Sequence, residues 1–122
     1  MYKTYYSTMV VRNYTVMVGR EIVFNIPNGH SWGYEFHPSW VRVERTIRNS
    51  EEVCVILPLY CYDLGGNFQI STQPYPNEWE SGQCGYYVVS KKEAREYLGS
   101  KRITQKQIKL VEQWVREKYA MV

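Results

Sequence analysis

Apolar and polar positions alternate along much of the first half of the chain, a pattern that predicts β-strands. Residues 14–18 read Tyr-Thr-Val-Met-Val and residues 21–26 read Glu-Ile-Val-Phe-Asn-Ile, both rich in β-forming side chains. Between them, Gly19-Arg20 places a glycine at the first central position of a type II′ turn. The two segments are therefore predicted to form a hairpin.

A second alternating stretch is aromatic. Trp32, Tyr34 and Phe36 are separated by single smaller or polar residues, so a strand would present all three on one face. Residues 40–47 also alternate and favour a further strand. A short helix through residues 38–40 is the alternative interpretation.

The middle of the chain contains a nearly unbroken apolar run at residues 53–62, typical of a central strand covered on both faces. Pro58 cannot donate to a ladder and marks a bulge or a strand end. A glycine-containing turn over residues 63–67 leads to a return strand at residues 68–72. The last strand is predicted at residues 84–89.

Two helices are expected after the strands. Ser90 and Glu93 form a capping-box pattern before a helix that ends at Gly99. Thr104 begins a weaker version of the same pattern. The helix that follows carries an apolar stripe at helical spacing, with Trp114 beside it; the stripe consists of Ile108, Val111, Val115 and Tyr119.

This order of elements, strands first and helices last, predicts the α+β class. We expect an antiparallel sheet of about five to seven strands with two C-terminal helices packed on it. At 122 residues the chain can bury one ordinary core, so we predict a single domain over residues 1–122. Its β-rich part covers residues 1–89 and its helical part residues 90–122.

Charge separates these two parts. Residues 1–89 have a net charge of −2, whereas residues 90–122 have a net charge of +5. A basic helix is either a solvated surface or a binding face for an acidic partner or a phosphate backbone. Trp114 among these charges either belongs to the core or interleaves with them as in nucleic-acid binders. The candidate nucleic-acid contacts are Lys101, Arg102, Lys106, Lys109 and Arg116.

Three cysteines, an odd number, and no apolar leader at the first residues indicate free thiols in a reducing cytoplasm. No apolar run reaches the length of a membrane span. The cysteines and the two histidines show no zinc spacing, and no phosphate-binding glycine motif is present, so no metal or cofactor is predicted.

Catalytic chemistry has few candidates. Cys84 with His30 or His37 is the one combination that could form a thiolate nucleophile, although cysteines in strands are mostly inert packing residues. Asp63 and Glu80 are acids in predicted turns and loops. We therefore expect a protein that is not an enzyme.

The loop before the last strand has two interpretations. If the three strands from residue 53 onward pair in chain order, the turn at residues 63–67 and the segment at residues 79–82 lie at opposite ends of the return strand. That arrangement makes both segments structural. If instead the loop folds back over the sheet, Trp79 and Glu80 form a recognition loop.

A spaced set of residues from 57 to 99 carries a resemblance. It comprises Leu57-Pro58-Leu59-Tyr60-Cys61-Tyr62-Asp63, Gly66, Ile70-Ser71-Thr72, Pro74, Trp79, Ser81-Gly82-Gln83, Gly85, Tyr87-Val88 and Ser90-Lys91. This set resembles an uncharacterised family common in phage and plasmid genomes, with the pattern LPLYxYDHSG followed by STxPFxxxWDSGQVGxIYVSKE. Leu64 stands where that family has His, so chemistry that depends on the His could not run here. Glu80 retains the charge of the family's Asp.

The resemblance implies an accessory protein of a mobile element in the cytoplasm of a bacterial host. We expect it to bind a host protein, such as a defence nuclease complex, as an anti-CRISPR or other anti-defence inhibitor; nucleic-acid binding through the basic helix is the alternative. Aromatic residues make up 16% of the chain and favour either a tyrosine-rich sheet or a recognition face. The predicted partner contacts are Trp32, Tyr34, Phe36, Tyr75, Trp79 and Glu80.

Overall fold

The computed structural model describes residues 9–13, 18–24, 39–64, 67–76 and 81–119. The elements are the strands β1 Met9–Asn13, β2 Arg20–Phe24, β3 Val53–Leu64, β4 Asn67–Ser71 and β5 Ser81–Ser90, and the helices α1 Trp40–Ser50, α2 Lys91–Leu98 and α3 Gln105–Lys118. The α+β class is confirmed, and the strands pair in an antiparallel sheet. The expected number of strands also counts segments outside these ranges and stays a prediction.

The sheet is built around its last strand. The order is β1-β2-β5-β3-β4, so β5 lies between β2 and β3. Val88 of β5 is opposite Arg20 on one side and Ile56 on the other. At Gly85 the backbone of β2 comes so close that an added Cβ would lie 2.0 Å from the Ile22 carbonyl oxygen. β5 therefore joins the β1-β2 hairpin to the β3-β4 hairpin.

Each face of this sheet buries its own core. On one face, alternate residues of β3 and β5 pack against Ala94 of α2 and against Val111 and Val115 of α3. On the other face, Val43 and Ile47 of α1 pack against the opposite side of the central strands. The alternation of β3 follows from the period of two in a strand, and its inward residues are Val55, Leu57, Leu59 and Cys61.

The strand predicted at residues 40–47 is wrong, because this segment lies in α1. Val43 and Ile47 are four residues apart and fall on one helical face, which is buried. Val41, which supported the alternating pattern, is 67% exposed. The helix is favoured over a strand because it buries Val43 and Ile47 against a sheet face that the two C-terminal helices leave uncovered.

The N-terminal hairpin is also displaced from its predicted position. β1 ends at Asn13, which is opposite Arg20, so Arg20 begins β2 instead of occupying a two-residue turn. Gly19 has a φ of 89°, and a Cβ there would lie 2.5 Å from the Val88 carbonyl oxygen. This glycine is therefore required by its left-handed backbone and by its approach to β5.

The predicted helix caps are present in the C-terminal part of the chain. Ser90 and Glu93 form a complete capping box at the start of α2, and Gly99 ends that helix with a φ of 64°. Thr104 and Gln107 form the second capping box, at the start of α3. Pro58 does not end β3. The strand continues to Leu64, with a register shift one residue after Pro58.

Cys61 and Cys84 form a disulfide between β3 and β5, with their Cα atoms 5.8 Å apart. The expectation of three free thiols is therefore wrong, and Cys54 alone is free. Cys84 is the extra residue of the β5 bulge, since the register passes from Gly85 directly to Gln83. Disulfides are typical of oxidising compartments, so the cysteine count no longer supports a reducing cytoplasm.

Reduction of this bond should lower the free energy of unfolding by about 3 kcal/mol, because it releases a loop that closes residues 23 apart. In chemical denaturation, the midpoint of the unaltered protein should fall when a reductant is added. A Cys61→Ser, Cys84→Ser variant should unfold at one midpoint in both conditions. Cys54→Ser is the control and should keep the response to reductant; an unaltered protein that ignores reductant would contradict the pairing.

Candidate functional site

Most of the predicted partner contacts lie outside the part of the chain that the structure describes. These are Trp32, Tyr34, Phe36, Trp79 and Glu80. The sixth, Tyr75, is half-buried in the segment that leaves β4. No histidine considered for catalysis lies in the described ranges either.

Tyr75 packs against the sheet. Its ring centroid lies 5.3 Å from that of Tyr62 in β3, with the ring planes tilted by 32°. Burial raises the pKa of the Tyr75 hydroxyl above its ordinary value. The segment after β4 therefore folds back against β3 rather than extending away from the sheet.

The pairing of β5 bears on the structural interpretation of this loop. β5 pairs with β3 and not with β4, so the premise of strands paired in chain order is wrong. Ser81, the first residue of β5, is opposite Tyr62, close to the end of β3 at Leu64. The β3-β4 turn and the entry to β5 thus lie at the same end of the sheet. The interpretation in which Trp79 and Glu80 form a recognition loop stays a prediction, because both residues lie outside the described ranges.

The five predicted nucleic-acid contacts are all described and all exposed. Two lie in the connection between α2 and α3, and three lie on α3. Arg116 forms a double hydrogen bond with Glu112, at 3.1 and 3.3 Å. The other four form no ion pair with any described residue; they are Lys101, Arg102, Lys106 and Lys109.

An aromatic and apolar patch lies beside these cations. Tyr97 of α2 is 55% exposed and Leu110 of α3 is 58% exposed. The ring centroid of Tyr97 lies 6.0 Å from that of Trp114, at an interplanar angle of 36°. Trp114 is half-buried and packs against the core, so it serves the core and contributes to the surface at once.

Spacing along α3 connects the patch to the charges. Lys106, Leu110, Trp114 and Lys118 follow one another at intervals of four residues and form one ridge on the helix. The sequence prediction included Trp114 but missed Tyr97 and Leu110. The interval of four between Leu110 and Trp114 was a visible signal. The contact of Tyr97 was not, because it depends on how α2 and α3 are placed.

Catalytic candidates gain no support from the described residues. Cys84 is disulfide-bonded, so it is not a thiol nucleophile. Asp63 lies in β3 opposite Phe68, and Glu80 lies outside the described ranges. Among the residues with described positions, no three His, Cys, Asp or Glu side chains come together as a metal site would require.

A polar depression of about 440 Å³ lies where α1 ends, bordered by Glu51, Glu52 and Lys91. Its charges are paired within the fold. Arg20 binds the carboxylates of Glu51 and Glu93, and Lys91 lies 4.0 Å from Glu52. This network links β2, α1 and α2, which indicates a structural role rather than a ligand site.

No known family model, curated protein or solved structure matches this chain. The resemblance of residues 57–99 to a phage and plasmid family therefore stays a prediction. Among the described helices, none is long and apolar enough to cross a membrane.

Truncation of Leu110 and truncation of Trp114 should change the free energy of unfolding by different amounts, because only Trp114 packs against the core. Leu110→Ala should change the free energy of unfolding by less than about 0.5 kcal/mol, because Leu110 is exposed. Trp114→Ala should lower it by about 3 kcal/mol, because the indole packs against the core. Chemical denaturation of both variants measures the difference, and equal losses would show that Leu110 is a packing residue.

Proposed function

We propose that this protein is a non-enzymatic accessory protein of a phage or plasmid and that it acts by binding nucleic acid through α3 and the connection before it. The observation that carries the proposal is the group of four exposed cations without a described ion partner. Its action in the cytoplasm of a bacterial host, and its origin in a mobile element, rest on the sequence resemblance and remain part of the proposal.

Electrostatics favours a polyanion on this surface. Arg48 and Arg116 are neutralised within their own helices, by Glu44 and Glu112 respectively. Lys106 and Lys109, by contrast, remain open to an external anion. When such cations contact the phosphates of a nucleic acid, they release bound counterions. The slope of log K against log salt therefore grows with the number of phosphate contacts.

Loss of Lys106 and Lys109 should weaken nucleic-acid binding and flatten its salt dependence. For a Lys106→Ala, Lys109→Ala variant, the slope of log K against log salt should become shallower by about 1.5, because two phosphate contacts are removed. Titration of a labelled oligonucleotide by fluorescence anisotropy at several salt concentrations measures the slope.

The matched control removes the same charge from the opposite face of the sheet. Arg42 and Arg45 are exposed on α1, which packs on the face that α2 and α3 do not cover. An Arg42→Ala, Arg45→Ala variant should keep the slope of the unaltered protein. If both variants changed the salt slope equally, the slope would depend on net charge alone and not on this surface. A protein that binds no oligonucleotide at low salt would contradict the proposal.

A host protein is the second candidate ligand, favoured by the packing of Tyr75 on Tyr62. This contact holds the described segment after β4, which ends at residue 76, against β3, and Trp79 and Glu80 follow this segment in the chain. A protein partner of this kind, such as a defence nuclease complex, would make the protein an anti-CRISPR or other anti-defence inhibitor. Aromatic side chains are enriched at such interfaces.

Tyr75 and Tyr97 distinguish the two candidates, since they lie on different surfaces. From a nuclease-treated host lysate, the tagged protein should recover one stoichiometric protein if this second candidate is correct. Tyr75→Ala should lose that protein, because the loop loses its packing against β3, whereas Tyr97→Ala should keep it. If Tyr75→Ala still recovered the host protein, or if only Tyr97→Ala lost it, the loop after β4 would not be the binding surface.

A further inference from the structure

The contact between Tyr97 and Trp114 has a use beyond phosphate binding. We infer that this pair is a stacking platform for an unpaired base, so that the ligand of the α3 surface is single-stranded nucleic acid. The inference rests on the proposed function and specifies the form of nucleic acid that the surface takes.

The aromatic pair is exposed to solvent at Tyr97. One side of Tyr97 contacts Trp114, yet 55% of the residue remains in solvent. A tyrosine that served only to cover the indole would be expected to bury most of its ring. More than half of Tyr97 is therefore accessible to a further planar group.

Two lysines flank the apolar residues along α3. Lys106 and Lys118 lie on the same ridge as Leu110 and Trp114, each about 6 Å along the helix axis from the nearer apolar residue. Both lysines are exposed. An apolar patch bounded by cations at both ends suits a ligand that alternates flat apolar groups with anionic ones, as a nucleic-acid strand does.

The aromatic pair distinguishes a single strand from a duplex. A duplex presents phosphates to such a surface but keeps its bases stacked on each other, so Tyr97 and Trp114 would gain no partner. An unpaired strand offers a π-face at every nucleotide, and stacking on aromatic side chains tolerates any sequence. The patch therefore favours single-stranded ligands with little sequence preference.

The test compares two single-stranded probes of equal length and charge. A twelve-residue oligothymidine carries bases, whereas an abasic deoxyribose-phosphate oligomer of about the same length does not. The protein should bind the oligothymidine about fivefold more tightly or better, because each stacked base adds to affinity. Tyr97→Leu, which keeps an apolar cover on Trp114, should bind both probes equally, and Tyr97→Phe should keep the preference.

Fluorescence gives a second readout. The chain has four tryptophans, and a base stacked on this pair should quench the emission of Trp114. Oligothymidine should therefore quench the unaltered protein more than a Trp114→Phe variant, and the abasic oligomer should quench neither by this route.

The outcomes separate the inference from the proposed function. Equal affinity for both probes, with the salt slope still shallower in the Lys106→Ala, Lys109→Ala variant, would overturn the stacking platform and leave phosphate binding intact. Tighter binding of a duplex of the same sequence would also overturn it. Failure of every nucleic-acid probe at low salt would overturn both, and an acidic protein would then be the partner to seek for this surface.

Discussion

β5 is the strand on which the rest of the fold depends, because it is paired along both edges and covered on both faces. Tyr87, Val88 and Val89 are fully buried, and Gly85 allows the backbone of β2 to approach at a distance that no Cβ would permit. A strand in this position joins two hairpins that would otherwise be separate and too small to be stable alone. The chain reaches it late, after both hairpins have been laid down in sequence.

Both faces of the sheet are apolar, so helices pack on each of them. α1 covers the side of Ile22, Tyr86 and Val88, while α2 and α3 cover the side of Leu59, Tyr87 and Val89. The residue that ends α3, Tyr119, also forms hydrogen bonds with two strands of the sheet. The Tyr119 hydroxyl donates to the Glu21 carboxylate of β2, and the Tyr119 carbonyl accepts a hydrogen bond of 3.2 Å from Ser71 of β4. One residue thereby contacts strands from both hairpins.

Local signals in the sequence predicted the local structure well. The capping boxes at Ser90 and Thr104, the glycine at the end of α2 and the apolar run of β3 all rest on neighbouring residues, and all are present. The errors share a different cause. The alternation of Val41 and Val43 predicts a strand where α1 lies, because it gives no sign of the second sheet face that a helix covers. The pairing of Cys61 with Cys84 was missed because it follows from β5 lying beside β3, which no local pattern encodes.

The candidate site shows the same division between local and tertiary information. The cations of α3 are visible in the sequence because they lie off the apolar stripe, and their exposure follows directly. The stripe also explains the burial of Val111 and Val115. It does not explain Leu110, which lies outside the stripe and contributes little buried area. Nor does it explain why Tyr97 extends from α2 to Trp114 while remaining largely in solvent. The core does not require either exposure, so both side chains remain available to the ligand that is proposed for this surface.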